Sequence, residues 1–86
     1  MGSVILVIDD EDVQRETLAG YLKNGGHTIL EAVSGREGIE ILRKKPVDLV
    51  ITDYQMPDLN GMEVLRTARQ TNPEIQVLMI TAYGSV

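Results

Sequence analysis

The stretch Val4-Ile5-Leu6-Val7-Ile8-Asp9-Asp10 is an apolar run that ends in two carboxylates. A second run, Leu49-Val50-Ile51-Thr52-Asp53, also ends in an acid. A buried strand that stops on acidic residues places charge at the edge of a sheet, where three carboxylates would repel one another. Such a cluster is tolerable when a divalent cation binds it or when one acid keeps its proton. These strand ends therefore predict a functional site built from Asp9, Asp10 and Asp53.

Four short apolar runs alternate with three helical patterns along the chain. The runs cover residues 4–8, 28–33, 48–52 and 76–81. This alternation predicts an α/β fold, in which a parallel sheet carries helices on both faces. Right-handed crossovers favour the flavodoxin-like strand order 2-1-3-4. The carboxyl ends of strands 1 and 3 then lie side by side at the switch point, where ligands bind in such sheets.

Turn and capping residues delimit the three helices, which are predicted at about 11–24, 34–45 and 60–72. Gly25-Gly26 ends the first helix, and a proline follows each of the other two. Ser34 and Asn60 each precede a Glu by three residues, which is the spacing of a capping box. The apolar residues that the helical spacing places on the inward faces are Leu18 and Leu22 with Tyr21 beside them, Ile39 and Leu42, and Met62, Leu65 and Ala68.

Composition limits the classes of function. The chain has 86 residues, of which 43% are hydrophobic and 24% charged, and this fits one small globular domain. A net charge of -5 without a basic patch argues against direct contact with nucleic acid. The absence of cysteine excludes disulfides, and no apolar run is long enough to cross a membrane. A cytoplasmic location is therefore expected.

Three carboxylates with little base nearby suit a hard cation such as Mg²⁺, which prefers oxygen ligands. Mg²⁺ usually keeps several waters and leaves room for a phosphate, so phosphoryl chemistry is the expected use of the site. Asp53 is then either a metal ligand only or a nucleophile that becomes a phosphoaspartate. The Thr81 hydroxyl, at the end of the fourth strand, could donate to a phosphoryl oxygen on Asp53, or it could simply reflect β propensity.

The loop that follows Asp53 contains Pro, Asp, Asn and Gly, all of which favour turns. Its functional interpretation is that a rigid loop aims a backbone carbonyl, that of Gln55, at the metal. His27 has no second histidine as a companion, so it is expected to be a strand-start residue rather than a ligand.

Taken together, these residues resemble the receiver domain of two-component response regulators. The resemblance covers essentially the whole chain, and the last stretch, residues 80–86, looks most like nitrogen-regulatory regulators that activate sigma-54 transcription. Four motifs carry it in the correct order: Val7-Ile8-Asp9-Asp10, Asp48-Leu49-Val50-Ile51-Thr52-Asp53, Met56-Pro57-Asp58 with Gly61, and Met79-Ile80-Thr81-Ala82.

The resemblance implies a role for each site residue. Asp53 would accept a phosphoryl group from the histidine of a sensor kinase, and Thr81 would be the switch hydroxyl that moves toward it. Asp10 would bind Mg²⁺ directly, and Asp9 would do so directly or through water. Asp53 and the backbone carbonyl of Gln55 would complete the protein ligands of the metal.

The sequence departs from the family after Thr81. Receiver domains continue with a fourth helix, a fifth strand with its switch aromatic, a Lys after that strand and a fifth helix, whereas this sequence stops at Val86. Residues 1–86 are therefore interpreted as a partial receiver domain that lacks the fifth strand and fifth helix. The fourth strand would become an apolar edge, which recruits another chain. A homodimer or larger assembly through this strand is expected.

Three hypotheses from different classes follow. The first is a phospho-accepting signalling switch. The second is an aspartate-nucleophile phosphatase, which usually carries a second acid two residues after the nucleophile. That position is Gln55, which cannot protonate a leaving group, so an enzyme is disfavoured. The third is a truncated or engineered fragment that self-associates and no longer switches, and the missing Lys favours it.

Overall fold

The computed structural model describes residues 2–80, which form seven elements of secondary structure. The strands are β1 (Val4–Ile8), β2 (Thr28–Ala32), β3 (Leu49–Asp53) and β4 (Gln76–Ile80). The helices are α1 (Asp12–Asn24), α2 (Gly35–Lys44) and α3 (Gly61–Thr71). Strands and helices alternate as predicted. None of the helices in this described part has both the length and the apolar character needed to cross a bilayer.

Within residues 2–80 the strands form one parallel sheet in the order β2-β1-β3-β4, which confirms the predicted order. Leu6 in β1 lies beside Leu30 in β2 and Val50 in β3. At the carboxyl end of the sheet, Ile8 is paired with Thr52. The residues that follow this pair are Asp9 and Asp53, so the register itself carries both acids to the same edge.

The sheet face that α2 and α3 cover holds the larger core. Side chains alternate between the two faces of a strand, so every second residue of β1 points to this side. Gly38 lets α2 approach the sheet closely, because a Cβ at this position would overlap the side chain of Ile8. The buried residues on this face are Leu6, Ile8, Ala32, Leu42, Val47, Val50, Val64, Ala68 and Ile75.

The opposite face, under α1, is less enclosed. Its fully buried cluster consists of Ile5, Val7 and Ile51, against which the half-buried Leu18 and Leu22 of α1 pack. Both leucines were expected to face inward with Tyr21 beside them, but Tyr21 is 77% exposed. Helix α1 nevertheless buries two other residues more completely, an arginine and an alanine at positions 15 and 19.

The capping signals agree with the structure at α3 and agree in part at α2. In α3, Asn60 Oδ1 accepts from the Glu63 N–H at 3.1 Å and Glu63 Oε1 accepts from the Asn60 N–H at 3.5 Å, which completes the predicted capping box. In α2, Ser34 Oγ accepts from the Glu37 N–H at 3.1 Å. Glu37 Oε1, however, accepts from the Val33 N–H at 2.8 Å, so the return bond reaches one residue further back.

The prediction of which α3 residues face inward was wrong for Met62, which is 43% exposed. The buried residues of α3 are Gly61, Val64 and Ala68. Gly61 lies against the backbone after β3, since a Cβ there would sit 3.2 Å from the Tyr54 Cα. Only glycine allows such a close approach at no cost. This contact turns the next residue, Met62, toward solvent.

Strand β4 pairs with β3 on one side, and within the described part of the chain no strand pairs with its other side. Leu78, which points to the α1 face of the sheet, is 53% exposed. A groove of about 560 Å³ runs between β4 and α1, and its apolar lining includes Leu18, Tyr21 and Ile80. The edge position agrees with the expectation for this strand.

Candidate functional site

Three carboxylates meet at the carboxyl edge of the sheet. Asp9 and Asp10 follow β1, and Asp53 is the last residue of β3. One carboxylate oxygen from each residue lies within 4.8 Å of the other two. Asp9 and Asp53 are only 2% and 8% exposed, whereas Asp10 is exposed. We call these three residues the acid pocket.

Backbone N–H groups hold the two buried carboxylates in place. Asp9 Oδ1 accepts from the Glu11 N–H at 2.9 Å, and Asp53 Oδ1 accepts from the Gln55 N–H at 3.2 Å. In each case a residue two positions later turns back onto the acid, as short polar side chains do in tight turns. These bonds orient the carboxylates without supplying a counter-charge.

The electrostatics of the acid pocket favour a proton or a cation. Burial raises the pKa of the Asp9 carboxyl, and the charges of Asp53, Asp10 and Glu11 raise it further. The hydrogen bond from the Glu11 N–H lowers this pKa but does not outweigh the other causes. A divalent cation among the three carboxylates would remove this mutual repulsion.

The donor set of the acid pocket fits Mg²⁺. It consists of carboxylate oxygens, which are hard ligands, and the described residues contain neither a cysteine nor a second histidine that would favour a softer metal. The exposed position of Asp10 gives the pocket an open side. Water and a phosphate group can therefore reach an ion held there.

The loop after Asp53 is tied to its surroundings. Gln55 forms an isolated antiparallel bridge with Asn60, and the Gly61 N–H donates to the Tyr54 carbonyl at 2.7 Å. Together with the bond from Gln55 to Asp53, these contacts close the loop directly beside the acid pocket. A turn closed by these contacts therefore lies next to Asp53.

Asp58 connects this loop to the start of α2. Its Oδ2 accepts from the Arg36 N–H at 2.9 Å, and its Oδ1 accepts from the Gly35 N–H at 3.2 Å. Burial alone would raise the pKa of the Asp58 carboxyl, but the backbone donors, those of Arg36 and Gly35 first, lower it overall. Asp58 thus satisfies N–H groups at the positive end of the α2 dipole.

Arg15 is a residue beside the pocket that sequence reasoning missed. Its side chain is 7% exposed, and its Nη1 donates to the main-chain oxygen of Asp9 at 2.9 Å. Two acids accept hydrogen bonds from the rest of the guanidinium, Asp12 at 2.8 Å from Nη2 and Glu31 at 3.2 Å from Nε, and Glu16 Oε2 lies 3.8 Å from Nη2. These partners raise the pKa of Arg15, the hydrogen bond to Asp12 most of all. Its helical spacing from Ala19 and Leu22, which places it on the inward face of α1, was the available signal.

Two other residues from the sequence complete the description. His27 lies just before β2, and its Nδ1 accepts from the Ser3 N–H at 3.2 Å, which is a structural contact at the start of the strand. Thr81, which sequence reasoning placed at the end of the fourth strand, lies outside the described residues.

Comparison with known proteins places this site in a family. Residues 5–86 match the response regulator receiver domain. The transcriptional regulatory protein ZraR of Escherichia coli O157:H7 is 38% identical over 82 residues, which cover 95% of this chain and 19% of that protein. The chain spans about a fifth of the length of curated relatives such as this one.

Solved structures show the same likeness. The receiver domain from the hybrid histidine kinase CckA has a TM-score of 0.87 at 33% identity, covering 95% of this chain and 78% of that one. The response regulator TrrA of Thermotoga maritima, solved in complex with Mg²⁺ and BeF, has a TM-score of 0.88 at 35% identity, with 95% of this chain and 71% of that one covered. The chain described here belongs to the response regulator receiver domain family.

Proposed function

We propose that this chain is a phospho-accepting switch in two-component signal transduction, with Asp53 as the acceptor. The observation that carries the proposal is the acid pocket, in which two buried carboxylates and one exposed carboxylate converge on one point. A buried Asp53 at an open edge suits a nucleophile better than a structural residue. The resemblance of the chain to TrrA, whose structure holds Mg²⁺ and BeF, supports the same use of the site.

The proposed reaction transfers a phosphoryl group from a phosphohistidine of a sensor kinase. A carboxylate oxygen of Asp53 forms the new P–O bond while the P–N bond breaks. The electron pair of the P–N bond returns to the imidazole nitrogen of the kinase. The Gln55 N–H donates a hydrogen bond to Asp53 Oδ1 and orients the carboxylate. Asp53 Oδ2 is then the proposed attacking atom. When bound, Mg²⁺ would supply positive charge to the phosphoryl oxygens.

The metal ligands proposed for Mg²⁺ are Asp10 directly, Asp9 directly or through water, Asp53, and the backbone carbonyl of Gln55. Thr81 is proposed as the hydroxyl that donates to the phosphorylated Asp53. The proposed partner is a sensor histidine kinase in the cytoplasm, in keeping with the similarity to a receiver domain from the kinase CckA. No catalytic turnover of a separate substrate is proposed, because Gln55 offers no general acid.

Phosphorylation by acetyl phosphate, read as the intact mass of the protein, tests the acceptor. The wild type should gain one phosphoryl group when Mg²⁺ is present and lose this ability in EDTA. Asp53→Asn should gain none, whereas Asp58→Asn, a matched change in the neighbouring loop, should still be modified. A wild type that stays unmodified at every Mg²⁺ concentration would support the fragment that no longer switches.

The exposed edge of β4 supports a second proposal, self-association of two copies of this chain. Leu78 is 53% exposed beside the apolar groove, and the outer edge of β4 has no strand partner within residues 2–80. A two-fold axis perpendicular to the sheet at this edge would pair β4 antiparallel with β4 of the second copy and bring the two apolar grooves side by side.

Size-exclusion chromatography with light scattering measures this assembly. The wild type should be a dimer or larger, and Leu78→Lys should be a monomer because two like charges would face each other across the axis. Val33→Lys changes a residue that is 49% exposed, adjacent to β2 at the opposite side of the sheet, and should leave the assembly intact. A well-folded monomeric wild type overturns the proposal.

A further inference from the structure

We propose that Arg15 is a positioning residue for the acid pocket. Its side chain holds the main chain of Asp9 in the geometry that Mg²⁺ binding requires. The inference rests on the function proposed above. Arg15 lies in the first turn of α1, and its charged group is buried directly behind the strand end that carries the two adjacent acids. A cation is rarely buried to this extent without a specific set of partners.

The bond from Arg15 is one of three that fix Asp9. The Asp9 N–H donates to the Ala32 carbonyl of β2 at 3.1 Å, and Asp9 Oδ1 accepts from the Glu11 N–H at 2.9 Å. The main-chain oxygen of Asp9 accepts from Arg15 Nη1 at 2.9 Å. Loss of Arg15 would leave this buried oxygen without its charged donor and free the peptide between Asp9 and Asp10 to rotate.

The same guanidinium connects the pocket to the edge strand. Arg15 Nε donates to Glu31 Oε1 at 3.2 Å, and Glu31 immediately precedes Ala32, the residue that accepts from the Asp9 N–H. These contacts form a closed ring: Asp9 binds Arg15, Arg15 binds Glu31 of β2, and the next residue of β2, Ala32, binds Asp9. Helix α1, the end of β1 and the end of β2 are therefore held in register at the pocket.

Two roles of Arg15, as a nearby positive charge and as a positioning residue, predict opposite changes in Mg²⁺ affinity when Arg15 is replaced. Its hydrogen bonds to side chains go to Asp12 and Glu31, and it contacts Asp9 through a main-chain oxygen rather than through the carboxylate. As a mere positive charge near the pocket, Arg15 would repel Mg²⁺, so its removal would strengthen binding. As a positioning residue it supports the ligands, so its removal weakens binding.

Calorimetric titration of the full chain with Mg²⁺ distinguishes the two. Arg15→Met should weaken Mg²⁺ binding about tenfold, as loss of an outer contact to a metal ligand typically does. Arg15→Lys keeps the charge but not the planar fork, and it should weaken binding about threefold. Arg43→Met, a change at an exposed arginine in the last turn of α2, should stay within about twofold of the wild type.

Circular dichroism without Mg²⁺ establishes that each variant is folded, and if Arg15→Met unfolds, the Arg15→Lys affinity decides. Unchanged or tighter Mg²⁺ binding by the folded Arg15 variant would overturn the inference while leaving the proposed function intact. A wild type that binds no Mg²⁺ would overturn both. A wild type that binds Mg²⁺ but accepts no phosphoryl group from acetyl phosphate would contradict the proposed function alone.

Discussion

Among residues 2–80, the hydrophobic cluster on the sheet face under α2 and α3 contains nine buried residues, whereas the cluster on the face under α1 contains three. On each face, a polar contact joins a helix to the acid pocket or to the loop beside it. On the α1 side that residue is the buried Arg15, and on the α2 side the loop residue Asp58 binds the start of the helix. Hydrophobic burial therefore holds α2 and α3, while α1 depends to a larger degree on polar contacts that lie beside the site.

The largest expected effect is the loss in the free energy of unfolding when a leucine is replaced by alanine, and it should differ between the two faces. Leu42→Ala in α2 removes a side chain that is 4% exposed, and it should lower the free energy of unfolding by about 3 kcal/mol. Leu18→Ala in α1 removes a half-buried side chain beside the groove and should cost about 1 kcal/mol. Urea denaturation measures both values.

Equal losses for the two leucines would contradict the comparison, because they would show that α1 is packed as completely as α2. Alanine has a high helix propensity, so neither change disturbs the helix itself. The difference between the two free energies of unfolding therefore reports packing against the sheet.

Replacing one glycine by alanine on each face should give the next largest contrast, because the two changes in stability are expected to have opposite signs. Gly38→Ala in α2 would drive a Cβ into the side chain of Ile8, and it should destabilise the protein by about 2 kcal/mol. Gly20→Ala in α1 meets no atom within 4 Å and should stabilise it by about 0.5 kcal/mol, because alanine restricts the unfolded chain. Thermal unfolding of the two variants against the wild type gives both shifts, and a loss of stability in Gly20→Ala would mean that α1 sits closer to its neighbours.

The parts of the structure that were predictable from sequence depend on local patterns. The run from Val4 to Asp10 identifies a buried strand and the acids after it. Parallel strands share one carboxyl edge, which is why the sequence alone places Asp9 and Asp53 together. The capping box at Asn60 is similarly local, since all its partners lie within four consecutive residues.

The parts that were missed depend on contacts between distant segments. Arginine is usually exposed, and the burial of Arg15 follows only when Glu31 of β2 and the Asp9 carbonyl are brought to it by the fold. The outward position of Met62 is set by the close approach of Gly61 to the backbone at Tyr54. Helical periodicity gives the spacing of a stripe but leaves its rotation to such contacts.

The acid pocket lies between the two faces. Repulsion among its carboxylates is expected to lower the free energy of unfolding when no metal is bound. Asp9→Asn removes a buried charge that Asp53 and Asp10 repel, while its side-chain oxygen can still accept from the Glu11 N–H. The free energy of unfolding in EDTA should rise by about 1 kcal/mol. The added stability that Mg²⁺ confers should fall, because the variant binds the ion more weakly.

Urea denaturation with EDTA and with saturating Mg²⁺ measures both quantities. Asp10→Asn is the matched control, since Asp10 is exposed and its neutralisation should give a smaller gain in EDTA. A destabilised Asp9→Asn in EDTA would show that Asp9 supports the fold rather than straining it.

The smallest expected effect concerns the loop contact on the α2 side. Because backbone donors lower the pKa of the Asp58 carboxyl below its ordinary value of 3.8, the unfolded state binds the proton more tightly than the folded state. The charged carboxylate therefore contributes stability that is present above pH 3.8 and is lost as the pH falls through the lowered folded pKa. Asp58→Asn should cost about 0.5 kcal/mol at neutral pH, a small value because the group is exposed.

Urea denaturation from neutral pH down to the acid limit of the fold tests this window. The difference between the wild type and Asp58→Asn should be constant near neutrality and should shrink once the pH passes below 3.8. Glu40→Gln, a change at an exposed acid of α2 beyond its first turn, is the control for the removal of one negative charge. A difference that stays constant to the lowest pH would mean that the amide replaces the carboxylate fully at the start of α2, and that the charge of Asp58 does not hold the loop to that helix.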